Sequence, residues 1–238
     1  QAALWLARFW GAWDRFDYES AATHLQTQPT SVAPWSAYWP ASDQASLLNE
    51  LAQELPAGYQ DRERLILLLA VDMAANAQRR LDWGEYEDAM LRAYRAYELV
   101  GQARLYGHGL DSSALDTTDS RVAAWTNYKQ KNGDRLPTPD RQGYLQVGRE
   151  QVHSLLKHLG DPFHKEITAV RKSTQKFDVK QRNTCILIHG FAAKTPGRVE
   201  DLADSIGGIR QLLARYPGMK TEEENAARFP FQDRVLRW

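Results

Sequence analysis

Cysteine is all but missing from this chain: Cys185 is the one thiol in 238 residues. That excludes an internal disulfide and a cysteine-built zinc site, and it fits a reducing, cytoplasmic compartment. An excess of either charge is missing too. Thirty Lys and Arg balance thirty Asp and Glu, so no global field draws nucleic acid, and any basic patch must be local. Long apolar runs are lacking. The longest, Leu65-Ile66-Leu67-Leu68-Leu69-Ala70-Val71, stops at Asp72, far short of the roughly 20 residues that cross a bilayer, and no secretory leader is visible. No membrane partner is expected. No clear alternating strands and no hairpin signal are found. No HExxH occurs, and His153 and His158, five apart, do not share a helix face, so no metal or other cofactor is expected. The chain opens Gln1-Ala2-Ala3 without a methionine, and more sequence is expected to precede it.

What is present is helical. Hydrophobic residues make up 43% of the chain, with 8 Trp and 10 Tyr, enough for a sizeable core. Leu4, Phe9, Trp13 and Phe16 recur at roughly helical spacing, followed by Tyr18, Ala21, Ala22 and Leu25. Residues 28–56 read as an irregular connector packed by Trp35, Tyr38 and Trp39, with a short helix over 46–55. The pattern predicts helices over 61–81 and 87–106, antiparallel across the turn Asp82-Trp83-Gly84-Glu85-Tyr86. It predicts further helices over 143–159, from Asp161-Pro162 onward with proline at the first helical position, and over 199–216. Residues 107–142 read as a long insertion with one short helix over 122–129. The expected class is all-α, with a helical connector over 1–60 and a helical domain over 61–238. Asp17-Tyr18-Glu19-Ser20-Ala21 and Glu85-Tyr86-Glu87-Asp88-Ala89 are similar helix starts of the kind found in helical-hairpin repeats.

The chemistry concentrates in Arg182-Asn183-Thr184-Cys185-Ile186-Leu187-Ile188-His189. On a helix, seven residues advance about 700°, so Arg182 and His189 share a face roughly 10.5 Å apart along the axis. A permanent cation and an imidazole on an apolar segment are costly unless used or paired. The combination suits chemistry on a phosphate, with the cation holding its charge and the histidine moving protons. Cys185 between them reads as small core filling. The stretch from Lys165 to Arg182 carries six basic residues against two acidic ones. Its Lys172, Lys176 and Lys180 are candidate RNA-backbone contacts, or else a solvated helix face.

An arginine and a polar residue, then a histidine after six intervening residues, resembles the HEPN ribonuclease motif at the end of a four-helix core. Three stretches carry a wider resemblance to the C-terminal half of CRISPR-associated CARF–HEPN proteins, the type III accessory effectors. They are Ala12-Trp13-Asp14-Arg15-Phe16-Asp17-Tyr18, Tyr94-Arg95-Ala96-Tyr97-Glu98-Leu99 running on to Arg104-Leu105, and Arg182-Asn183 through His189-Gly190-Phe191. The resemblance implies a HEPN-type bundle and a metal-independent endoribonuclease of antiviral defence, acting on single-stranded RNA as a homodimer. It also implies activation by cyclic oligoadenylate bound to a CARF domain, for which this chain lacks the strands.

RNA carries its own nucleophile, the 2′-hydroxyl, so the protein need only position it, neutralise the phosphate and move protons. In that scheme Arg182 grips the phosphate oxygens, His189 is the general acid or base, and Asn183 orients one of them. Ten ångströms along one helix is long for both side chains to reach one phosphate, whereas a twofold copy brings Arg182 of one chain near His189 of the other. Arg95 and Glu98 read as a structural ion pair that could also reach the site. Two rivals stand beside this scheme. Cys185 to Phe191 also reads as a buried strand and the His-Gly turn of an α/β-hydrolase, though Asp204-Ser205-Ile206-Gly207 lacks the first glycine of a nucleophile elbow. The other rival is a non-enzymatic helical-hairpin scaffold that binds protein.

Overall fold

The computed structural model describes residues 1–29, 31, 33–174 and 199–230, with backbone alone at 171–174, 222 and 224. The described residues form an all-α bundle. α1 (Ala2–Asp14) and α2 (Tyr18–Gln26) make a hairpin. A 3-10 turn (Ser36–Tyr38) and α3 (Ser42–Leu51) follow, and then the long pair α4 (Tyr59–Asp82) and α5 (Tyr86–Gly107). The insertion holds β1 (Leu115–Asp116), α6 (Ser120–Lys131) and β2 (Tyr144–Leu145). α7 (Arg149–His158), α8 (His164–Thr174), α9 (Val199–Ala214) and α10 (Thr221–Ala226) complete the described chain.

Antiparallel pairing of α4 with α5 forms the spine. The alanines of its seam explain the close fit: Ala70, Ala74, Ala77, Ala89, Ala93, Ala96 and Ala103 are all buried. Gly101 lets α7 cross closely, since a Cβ there would stand 3.0 Å from Val152 Cγ1 and that side chain would have to give by a few tenths of an ångström. α9 covers both spine helices and α8, presenting Leu202, Ile206, Ile209 and Leu213 at helical spacing to the core. No described helix is long and apolar enough to cross a membrane.

The two similar helix starts are the same turn built twice. Asp17 N donates to Ala12 O at 3.0 Å and Phe16 N to Trp13 O at 2.8 Å; Glu85 N donates to Arg80 O at 2.9 Å and Gly84 N to Leu81 O at 3.0 Å. Each pair of bonds closes a left-handed helix terminus, with Phe16 at φ 63° where the second turn has Gly84 at φ 78°. The following Ala21 and Ala89 are both fully buried. The two turns meet at Asp14, which accepts from Asn76, Arg79 and Arg80.

Between the hairpins lies a buried polar junction. Asp72, fully buried, accepts from Trp13 Nε1 at 3.1 Å and Tyr18 OH at 2.8 Å, and Arg79 Nη2 stands 3.7 Å away. Burial pushes the Asp72 carboxyl above its ordinary value, against the pull of Arg79. Burial, with Asp72 beside it, also raises the Tyr18 phenol well above its usual range. Aromatics pack the connector as expected: Trp39 stacks on Trp5 at 4.3 Å, and Trp10 Nε1 donates to Tyr38 O.

Three expectations shift. The connector helix lies at Ser42–Leu51, earlier than 46–55, because Leu47, Leu48 and Leu51 form its buried stripe. Residues 144–145 are a strand rather than the start of a helix: Leu145 pairs antiparallel with Leu115, both buried, and α7 begins at Arg149. Pro162 lies in a turn, and α8 begins at His164.

Candidate active site

Arg182, Asn183, His189, Lys176, Lys180 and Cys185 lie outside the described residues, and so does the side chain of Lys172 on α8. What the structure describes is the pair of helices that flank this segment in the chain, α8 and α9. Arg215, just past the end of α9, pairs with Glu166 in the first turn of α8 at 3.1 Å. The two helices are therefore antiparallel, and Thr174 and Val199, the flanks of the motif-bearing segment, face the same end of the bundle.

Contacts along α5 identify that end. Arg104 meets Asp161 before α8 begins, and Tyr97 OH donates to Ile167 O at 2.7 Å. Moving toward the N-terminus of α5 thus follows α8 toward Thr174. Tyr97 also meets the His153 ring of α7 edge-on, and α7 joins α8 through a short corner. The first turn of α7 accordingly lies at the end where Thr174 and Val199 stand. There Arg149 lies over Tyr94 at 4.7 Å and over Tyr97 at 5.7 Å, and it pairs with Glu150 at 3.0 Å. Arg95 bonds Glu98 along α5 at 3.2 Å, the ion pair expected from the sequence. Sequence reading missed Arg149; its one cue is an arginine opening a helix, which by itself says nothing of two tyrosines 50 residues earlier.

The far end is locked by a polar clamp. Asp161, fully buried, accepts from Phe163 N at 2.7 Å and Arg104 Nε at 2.7 Å, and lies 2.5 Å from His108 Nε2. Tyr216 OH donates to Glu63 Oε1 at 2.6 Å, while Arg104 Nη1 stands 3.5 Å from the same oxygen. Burial, reinforced by Glu63, pushes the Tyr216 phenol far above its usual range. α4, α5, α8 and α9 are tied here, at the opposite end of the bundle from Thr174 and Val199.

The hydrolase rival meets a direct obstacle. Asp204, Ser205, Ile206 and Gly207 lie inside α9, and Ser205 is fully buried with its hydroxyl donating to Asp201 O at 2.8 Å. A nucleophile elbow needs an exposed serine on a strand-to-helix turn. Among the described residues the one sheet has two strands of two residues.

No curated protein matches this chain closely enough to count as a relative. The sequence profile of the Csm6 HEPN domain matches residues 59–213, which take in the α4–α5 spine, the insertion, α7, α8, most of α9 and the Arg182–His189 segment. Covering well over half of the 238 residues, that match shows that the chain belongs to the Csm6 HEPN domain family of CRISPR-associated nucleases.

Proposed function

We propose that this chain is a metal-independent endoribonuclease that cleaves single-stranded RNA at a site made by Arg182, Asn183 and His189 in a homodimer. The observation that carries the reading is the arginine–histidine spacing within a family match that runs straight through it. Arg182 holds the scissile phosphate through its planar fork. His189 takes the proton of the 2′-hydroxyl or delivers one to the leaving 5′-oxygen. Asn183 orients His189 or a phosphate oxygen. The products are then a 2′,3′-cyclic phosphate and a 5′-hydroxyl. Lys172, Lys176 and Lys180 guide the RNA backbone toward the site. In the parent protein, cyclic oligoadenylate bound to a CARF domain outside this chain switches the nuclease on. Residues 1–60 serve as a helical connector to the HEPN-like domain of 61–238, with 107–142 as its insertion.

The test is cleavage of single-stranded RNA by purified protein in the presence of a chelator. His189→Ala is expected to lower the rate by at least 100-fold, the scale of a lost proton-transfer group, with the circular dichroism spectrum unchanged. Products ending in 3′-hydroxyl and 5′-phosphate would reject the scheme. Composite assembly has its own check: Arg182→Ala mixed equally with His189→Ala restores about a quarter of the activity if each site draws its two residues from different chains. No recovery on mixing means that each site is complete within one chain.

A second reading, a protein-binding helical scaffold, is favoured by the twin turns at Asp14–Asp17 and Asp82–Glu85. It predicts no RNA cleavage for His189→Ala to remove.

A further inference from the structure

Ala3, Ala7 and Gly11 recur every fourth residue of α1; the alanines are exposed and the glycine half-buried. They make a strip about 12 Å long whose own side chains are no larger than a methyl group, with the Arg15 guanidinium at its Gly11 end, 3.3 Å from where a Gly11 Cβ would stand. Trp35 and Trp83 rise on the rim, 42% and 51% exposed, and Phe229 stands against one wall. The groove so formed encloses about 560 Å³ and is predominantly apolar. A floor of small residues between bulky walls admits a helix that brings large side chains to meet it.

A segment with that character begins beside the groove. Phe229 is followed by Pro230 and then by Phe231-Gln232-Asp233-Arg234-Val235-Leu236-Arg237-Trp238. Phe231, Val235 and Trp238 have the i, i+4, i+7 spacing of one helix face, about 10.5 Å from first to last. Asp233 and Arg237 fall off that stripe, and Arg234, three residues after Phe231 and four before Trp238, borders it. We propose that residues 231–238 dock in this groove, with Phe231, Val235 and Trp238 against the Ala3, Ala7 and Gly11 strip of α1. The segment starts one residue beyond a wall of the groove, so its local concentration there exceeds that of any free competitor. Docked, it ties α1 to the α4–α5 turn through Trp83, a role independent of RNA cleavage.

Hydrogen exchange on the full chain tests this, with Ala7→Arg in the groove and Trp238→Asp in the segment. Amides of 231–238 are expected to exchange at least tenfold more slowly than in a free peptide, and to lose that protection in both variants. Free-peptide rates in the unmodified chain would overturn the proposal, as would protection that survives both substitutions. Should Ala7→Arg dissociate a dimer in sedimentation while 231–238 exchange freely, the groove belongs to a second copy and the proposal falls. Trp238→Asp changes no residue of the described helices, so the test holds even where Ala7→Arg fails to fold.

Discussion

Individual side chains show where charge is held by geometry. Asp119 caps α6, accepting from Arg121 N at 2.8 Å and from the Arg121 side chain at 2.7 Å. The hydrogen bond from that side chain, foremost, draws the Asp119 carboxyl down to about 2. A carboxyl depressed in the folded state contributes stability above its unfolded value of about 3.9, and that contribution disappears as pH falls toward 2. Thermal unfolding of Asp119→Asn should therefore show a deficit against the unmodified chain at pH 5 that closes by pH 2. A deficit that persists at pH 2 would mean that the cap acts through hydrogen bonding alone. The sequence offered Asp119 as no more than one acid among several in the insertion; the cap is visible only once α6 is seen to begin at Ser120.

Helices and turns are where local rules are strongest. Gly84 sits at φ 78° in the α4–α5 turn, a backbone region that costs an L-residue about 1 kcal/mol. Gly84→Ala is expected to lower stability by about that amount in urea unfolding, with no change in the slope of the transition. Phe16 bears the same conformation in the α1–α2 turn, packed by Tyr18 and by the Arg92 guanidinium 5.8 Å from its ring. Gly101 answers to packing instead. Placing valine against Val152 overfills the α5–α7 crossing, and Gly101→Val should cost roughly 1–3 kcal/mol by the same assay. A neutral result would show that α7 can slide away from the spine. The spacing of apolar residues foretold α4, α5 and α9 to within two residues, because 3.6-residue periodicity is recorded in neighbouring positions. It misjudged 143–148, which it assigned to the helix over 143–159. There β2 pairs with β1 across the insertion, a partnership between residues some 30 positions apart.

For the molecule as a whole, the decisive contact is the buried junction that fastens the first helical hairpin to the spine. Residues 1–58 lie outside the family match, yet Trp13 and Tyr18 both donate to Asp72 of α4, and Asp14 holds Arg79. Asp72→Ala strips two buried donors of their acceptor and leaves the Arg79 guanidinium short of a counter-charge, an expected loss of about 3 kcal/mol. Differential scanning calorimetry should show one transition at lower temperature; separate melting of the N-terminal helices would show that the junction is not what joins them. The sequence by itself determined the all-α class, the spine helices, the repeated turn and the family, because each is written in short-range periodicity or in a linear motif. Only the tertiary structure decided that Asp72, Arg79, Asp14 and Trp13 form one buried cluster, that Asp161 locks the bundle at the end away from Thr174 and Val199, and that Ser205 is sealed inside a helix. Those facts depend on which faces of distant helices meet, and packing, unlike periodicity, is not stored in neighbouring residues.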